Sequence, residues 1–318
     1  MAKNERCAKA QGGTLVGPRY EIDANSAEYP DTLRELPAPP RMLYVIGNPQ
    51  CLRLGLSIVG ARKATPYGKG CAQRFAALAA RQGIPVVSGG ARGCDSAAHL
   101  GALEHHGSTV AVLGGGCDKI YPAQNRALFQ RIIDEGGAIV SEQEWGFESL
   151  PYTFRLRNRI IAALSKATLI VEAGLPSGTF STADDALSLG REVMVVPGAI
   201  TAPNSKGANR LLFQGAVPIV DDETFLEALV SLYPQELKEG MLVGSSVDAV
   251  AQNAAQLFDD PLIRALIAEP LDQEQIYSFA LQYCGNENPS AWASVRIEEA
   301  QDAGLITCYP DGSYGPLS

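Results

Sequence analysis

The residues in this chain best suited to chemistry are small and cationic rather than catalytic. Four turns are rich in glycine, Gly60-Ala61-Arg62, Ser88-Gly89-Gly90-Ala91-Arg92-Gly93, Gly114-Gly115-Gly116 and Ser177-Gly178-Thr179, and two of them carry an arginine. Without side chains in the way, backbone N–H groups approach an anion closely, and a helix that follows adds its positive end. The turns therefore predict an anion site. The run Phe154-Arg155-Leu156-Arg157-Asn158-Arg159 sets an aromatic ring beside three guanidinium groups and an amide. Arginines hold phosphates or stack, and a phenylalanine face meets a base, so the run suits a nucleic-acid strand. Each member also has a structural alternative. Phe154 can sit in the core, and Arg159 can pair with Glu142 or Glu172.

Groups for catalysis are scarce. The chain holds no GxSxG elbow, no HExxH and no Walker A pattern. Gly114-Gly115-Gly116 is not a dinucleotide fingerprint, because it follows the third candidate strand and position 119 is Lys119; no nicotinamide or other cofactor is expected. Three histidines, His99, His105 and His106, are too few and too clustered for a zinc site, so no metal is expected. Seven cysteines form no CxxC pair, and their odd number predicts reduced thiols. His99 is expected as a core histidine, and Asp95 as the cap of the helix that contains it.

Elements that would position these turns follow from the hydropathy pattern. The runs LSIVG (56–60), IPVVS (84–88), STVAVLG (108–114), AIVSE (138–142), ATLIVEA (167–173) and EVMVVPG (192–198) are continuously apolar, as strands covered on both faces must be. Helical stretches at 67–82, 96–106, 122–135 and 179–189 separate them, and a late helix (206–213) with the strand VPIVD closes the pattern. Such alternation predicts an α/β fold, a mostly parallel sheet with helices on both faces. All four glycine turns then fall at the carboxyl ends of strands, where open α/β sheets bind their ligands.

We divide the chain into a short N-terminal extension (1–28), the sheet domain (29–231), a linker (232–260) and a C-terminal module (261–318). Helices at 262–268, 273–282 and 290–303 and a hairpin turned at Asp311-Gly312 suggest a winged helix. Its third helix offers Arg296 against Glu298, Glu299 and Asp302, so the module is expected to contact protein rather than DNA. The net charge of −9 is unevenly spread: residues 1–220 hold 23 Lys/Arg against 18 Asp/Glu, and residues 221–318 hold 3 against 17. Between Glu35 and Asp95 stand eight basic residues and no acid. No stretch approaches the roughly 18 apolar residues of a spanning helix and the polar start lacks an h-region, so a cytoplasmic protein without membrane contact is expected.

The run from Tyr29 to about residue 230 resembles the DNA-processing protein A family, also called Smf. Its motifs stand here as Gly60-Ala61-Arg62 with Thr65 to Gly68, Ser88 to His99, Gly114 to Gly116 with Tyr121, Pro122 and Asn125, and Ser141-Glu142. Phe154 to Ser165, Glu172 to Ala186, Pro197-Gly198, Ser205 to Asn209 and Gly215-Ala216 complete the series. The resemblance implies a Rossmann-like domain that binds single-stranded DNA without strong sequence preference and dimerises. It further implies a helper that loads RecA recombinase onto strands coated by single-strand binding protein, in natural transformation or recombination, and a C-terminal winged helix. Motif position carries DNA contact to Arg62, Ser88, Gly89, Phe154, Arg157, Asn158, Ser177, Gly178 and Lys206. To these we add, from the turns and the arginine run, Gly60, Arg92, Gly116, Arg155, Arg159 and Thr179. Arg92 and Cys94 depart from the family, which more often has an apolar pair there.

The rival reading is an enzyme. Phosphoribohydrolases of the wider superfamily are similar in fold and use PGGxGTxxE, whose glutamate assists glycosidic cleavage. Here the run is Pro176-Ser177-Gly178-Thr179-Phe180-Ser181-Thr182, and threonine cannot supply the carboxylate. No enzymatic activity is therefore expected. A protein that senses a small phosphate ligand in the same crevice is the third reading.

Overall fold

A computed structural model describes residues 15–234 and most of 260–316, in two compact units, Met1–Gly240 and Met241–Ser318. Most of the expected linker, 235–259, lies outside the described residues, as do residues 1–14. The first unit is built on nine described strands, in the order β1-β2-β6-β5-β4-β3-β7-β8-β9. β3 (Gly55–Val59), β4 (Val86–Ser88), β5 (Thr109–Val112), β6 (Ala138–Ser141), β7 (Ser165–Ile170), β8 (Glu192–Val195) and β9 (Val217–Pro218) run parallel. These are the seven apolar runs of the sequence. The hairpin-like pair β1 (Arg19–Asp23) and β2 (Met42–Gly47) is added antiparallel to β6 and was not expected. β1 lies inside the stretch read as an extension, so the sheet domain begins before residue 29.

Side chains alternate across the sheet and meet helices on both faces. Leu56, Ile58, Val86, Leu169 and Met194 pack under α2 (Pro66–Arg81), α3 (Cys94–Glu104) and α8 (Asp222–Leu232). α4 (Arg126–Asp134) extends that layer, with Phe129 and Ile132 against Ile46, Ala111 and Ile139. Val59, Val87, Val112, Val140, Ile170 and Val195 face α5 (Pro151–Ala163), α6 (Thr179–Ser188) and α7 (Lys206–Phe213). A short helix, α1 (Asp31–Arg34), joins this second layer through the buried Leu33. Each fully buried aliphatic side chain contributes roughly 1.5–3 kcal/mol. α2 begins cleanly because Thr65 caps it, accepting the Gly68 N–H at 3.1 Å, and Pro66 occupies its first turn. A face of Ala72, Ala76, Ala79 and Ala80 lets α3 approach so closely that a Cβ on Gly101 would meet the backbone of Gln73.

β3 and β7 are neighbours, yet β3 leads into α2 on one face while β7 leads into α6 on the other. That reversal opens a crevice at the carboxyl ends of the two strands. The second unit has three helices, Pro261–Ala268, Gln273–Tyr283 and Pro289–Asp302, and a two-stranded antiparallel sheet of Ile306–Cys308 with Tyr314–Pro316. Its own core includes Leu262, Ile263, Leu266, Ile276, Trp292 and Ile297. Asp311 of the expected turn lies outside the described residues, and Gly312 has φ +84°. Arg296 is committed within this unit, to Asp260 at 2.8 Å and over the Trp292 ring at 3.9 Å.

Candidate nucleic-acid interface

Three loops at the crevice are tied to one another by side chains far apart in sequence. Glu172, buried just after β7, accepts the Thr65 N–H at 2.9 Å and the Thr65 hydroxyl at 2.8 Å, which fixes the loop that carries Arg62. Asn204 donates to the Lys63 carbonyl at 3.3 Å, and Gly207 N–H to the Ala173 carbonyl at 2.8 Å. The loops after β3, β7 and β8 therefore form one continuous rim. Exposed on it are Arg62, Lys63, Gly178 and Lys206. α3, α6 and α7 begin on Gly93, Gly178 and Ser205, none of which caps its helix with a side chain. Their first N–H groups are met within the protein, Cys94 by the Ala61 carbonyl at 3.3 Å, Thr179 by the Ser177 hydroxyl at 3.2 Å, and Gly207 and Ala208 by the Ala173 carbonyl, so the exposed cations, with the positive ends of the helices behind them, are what favours an anionic ligand.

A second set of bonds joins the ends of β4 and β5. Arg157 reaches inward from α5 and donates to the carbonyls of Gly89, at 2.6 Å, and Val112. A Cβ on Gly89 would overlap that guanidinium, which is the physical need for glycine there. Asp95 lies beside it, buried, and accepts backbone N–H bonds from Ala91, at 3.3 Å, and Gly60. Burial raises the Asp95 pKa, opposed by the Arg157 charge and by those N–H bonds. Burial also pushes the Arg157 pKa down to about 10, opposed by Asp95 and assisted by Arg62. Arg157 thus stays cationic at neutral pH with its charge spent inside the protein. Gly93, with φ +81°, makes the turn into α3, where a side chain would also strike the Ala61 carbonyl.

These bonds sort the residues expected at a DNA site. Arg62, Arg92, Arg155, Gly178 and Lys206 are exposed, and Phe154, Asn158 and Ser177 are half-buried. The Arg62 guanidinium lies over the Phe154 ring at 5.3 Å. Asn158 is held by its donation to Ser181 at 2.8 Å and by Arg157 Nε at 3.2 Å, and the Ser177 hydroxyl accepts the Thr179 N–H at 3.2 Å. Others point inward. Ser88 is fully buried and donates to the Ile58 carbonyl at 2.6 Å, and Thr179 and Arg157 are also buried. Gly60 gives its N–H to Asp95, and Gly116 packs against the backbone of Glu144 and Trp145, donating to the Phe147 carbonyl at 2.9 Å. Arg159 pairs with Glu142, the structural alternative for that residue; burial raises the Glu142 pKa despite the arginine. Ser88, Gly89, Gly60, Gly116, Arg157 and Arg159 therefore shape the rim from beneath. The basic window between Glu35 and Asp95 divides too: Arg53 donates to the Gly83 carbonyl at the opposite rim, and Arg74 pairs with Asp222 at 2.6 Å.

His99 sits in the core as expected. Thr109 gives its proton to the Val86 carbonyl at 2.7 Å, so His99 Nδ1, 2.7 Å from the same hydroxyl oxygen, is the protonated nitrogen. Burial lowers its pKa to about 3. Asp95 stands in the first turn of α3, but its bonds go to the loop before it. Residues that sequence spacing missed are Lys63, Tyr121, Asn204 and the latch role of Glu172. In the sequence Glu172 stands only as an alternative partner for Arg159 and as the first residue of a family motif, and neither marks the latch. Among the described residues, no group of three or more His, Cys, Asp or Glu could hold a metal ion, and no helix is long and apolar enough to cross a membrane.

Exposed cations gathered at the switch point of an open α/β sheet are an arrangement suited to a phosphate-bearing ligand. The family model described as DNA recombination-mediator protein A matches residues 21–230, and the chain belongs to that family. Protein Smf of Escherichia coli is 41% identical over 209 residues, 65% of this chain and 56% of its own length. The putative DNA processing protein DprA of Mycobacterium tuberculosis is 39% identical over 257 residues, 78% of this chain and 66% of its own. The chain thus spans between about half and two thirds of the length of these curated relatives. DNA processing protein A from Streptococcus pneumoniae superposes with a TM-score of 0.62 at 32% identity, covering 66% of this chain and 74% of its own. DNA processing protein A from Helicobacter pylori, whose structure concerns a single-stranded DNA binding mode, gives 0.61 at 31%, covering 67% and 96%.

Proposed function

We propose that this chain binds single-stranded DNA along the carboxyl rim of its sheet and mediates recombination without catalysing a reaction on the strand. The observation that carries the reading is the gathering of exposed Arg62, Lys63 and Lys206 on one rim at the switch point, where α6 and α7 also begin. Family membership and the likeness to the Helicobacter pylori protein, with its single-stranded DNA binding mode, support the choice of ligand. The polymer, rather than a lone phosphate, is favoured because Arg92 and Arg155 extend the cationic surface beyond the crevice. In this reading the chain works as a homodimer in the cytoplasm and hands strands coated by single-strand binding protein to RecA recombinase. The second unit acts as a winged helix that contacts protein, since its third helix carries Glu298 and Glu299 and its Arg296 is already paired.

Fluorescence anisotropy with a labelled oligonucleotide tests the reading. Tight binding of the single strand, weak binding of the same sequence as duplex and no competition by thymidine monophosphate are the expected results. Equal affinity for duplex, or release of free base from nucleoside monophosphates, would overturn it.

A further inference from the structure

Beside the rim lies a cavity of about 350 Å³, between the loop after β5 and the loop before α5. Asp118, Lys119, Ile120, Tyr121, Arg126 and Ser149 line it, with Ala123 and Glu148 completing the wall. Its size is that of a small-ligand site, and its lining mixes an aromatic ring, a hydroxyl and charges of both signs. We propose that this cavity is a nucleotide subsite of the DNA path, with a base stacked on Tyr121 and the adjoining phosphate held by Lys119. The inference rests on the single-stranded DNA reading above and adds to it a residue and a place.

Phe154 is the aromatic that the sequence offers as the stacking platform. Its ring has Tyr121 on one side, 5.3 Å between centroids at 53°, and the Arg62 guanidinium 5.3 Å from its centroid. Gly114 presses from a third direction, where an added Cβ would stand 2.9 Å from Phe154 Cδ1. Phe154 is therefore occupied. Tyr121 is the aromatic of this cluster that opens to solvent, at 52% exposure, and it also lines the cavity. Arg62, Phe154 and Tyr121 form a chain of contacts from the crevice to the cavity, so a strand lying on the rim is led there.

The charges suit a phosphate at the mouth. Asp118 is neutralised by Arg19 through two bonds, of 2.6 and 3.1 Å. Lys119 pairs with Glu148 at 2.6 Å, but both side chains are open to solvent, at 44% and 73%. Exposed pairs of this kind contribute little, so a phosphate can take Lys119 from Glu148. The Ser149 hydroxyl stands in the wall as a donor or acceptor for a base edge.

The test uses the full chain, an oligothymidine and thymidine monophosphate. Tyr121→Ala is expected to weaken oligothymidine binding about five- to hundred-fold, the range for losing one stacked base, while Tyr121→Phe keeps it within about two-fold. A strand carrying 5-iodouracil is expected to crosslink to Tyr121 on irradiation. If Tyr121→Ala binds like the parent, with unchanged denaturation, while Arg62→Ala loses affinity, the subsite is overturned and the rim reading stands. If neither substitution matters, both fall. Thymidine monophosphate that competes as strongly as the oligothymidine would make the cavity an independent small-ligand site and likewise overturn the proposal.

Discussion

Replacing Arg157 by methionine keeps an unbranched, shorter side chain and removes its charge and donors. In the folded protein this strands the carbonyls of Gly89 and Val112, which lose their partner, and leaves the buried Asp95 without its neighbouring cation. Hydrogen bonds from a charged donor contribute about 1.5–3 kcal/mol each, and uncoupling a buried charge costs about 3–5 kcal/mol. These terms overlap, so a loss of about 3–5 kcal/mol in unfolding free energy is expected for the first unit. Denaturation by urea measures it in a Trp292→Phe background, where Trp145 is the remaining tryptophan and reports on the first unit alone. A loss below about 1 kcal/mol would refute the reasoning, because it would mean that water already satisfies those carbonyls and that Arg157 is free to meet a ligand.

Three further outcomes follow from other contacts. The His99 pKa is lowered to about 3 from an ordinary 6.5, so the stability tied to its neutral form is complete above pH 6.5 and is lost as pH falls toward 3. The loss amounts to about 1.4 kcal/mol per pH unit, and His99→Gln should flatten that part of the pH–stability curve; an unchanged slope would contradict the assignment. Glu172→Ala frees both Thr65 donors and is expected to cost about 1–3 kcal/mol and to weaken oligonucleotide binding by loosening the Arg62 loop; parental affinity and stability would count against the latch. Truncation after Gly240 removes a unit with its own core that holds 11 Asp/Glu against 2 Lys/Arg, so affinity for single strands should be kept or slightly raised, and a large drop would show that the second unit contacts DNA.

The parallel part of the sheet was legible because its strands are buried on both faces and so read as unbroken apolar runs, such as the wholly buried β3. β1 carried no such signal, since only Ile22 of Arg19–Asp23 is buried. β2 is joined to it without a two-residue turn, so no hairpin signature marks the pair. The loops of the site were legible for a similar reason, as glycine turns at strand ends. Which of their atoms remain free was not. That depends on partners remote in sequence: Ser88 bonds a carbonyl 30 residues away, Arg157 one 68 residues away, and Glu172 a threonine 107 residues away. Local spacing placed Arg157 and Ser88 by the carboxyl rim of the sheet, and long-range packing turned them inward.

The central claim is that exposed cations on one rim neutralise the phosphates of a single strand. Its most direct measurement is the salt dependence of oligonucleotide affinity for the parent, Arg62→Ala and Lys206→Ala. Counterion release gives a log–log slope of about −0.7 per phosphate contact on single strands, so the parent should show a steep line and each substitution should make it shallower by about 0.7. A parent slope near zero, or slopes that Arg62→Ala and Lys206→Ala leave untouched, would contradict the account.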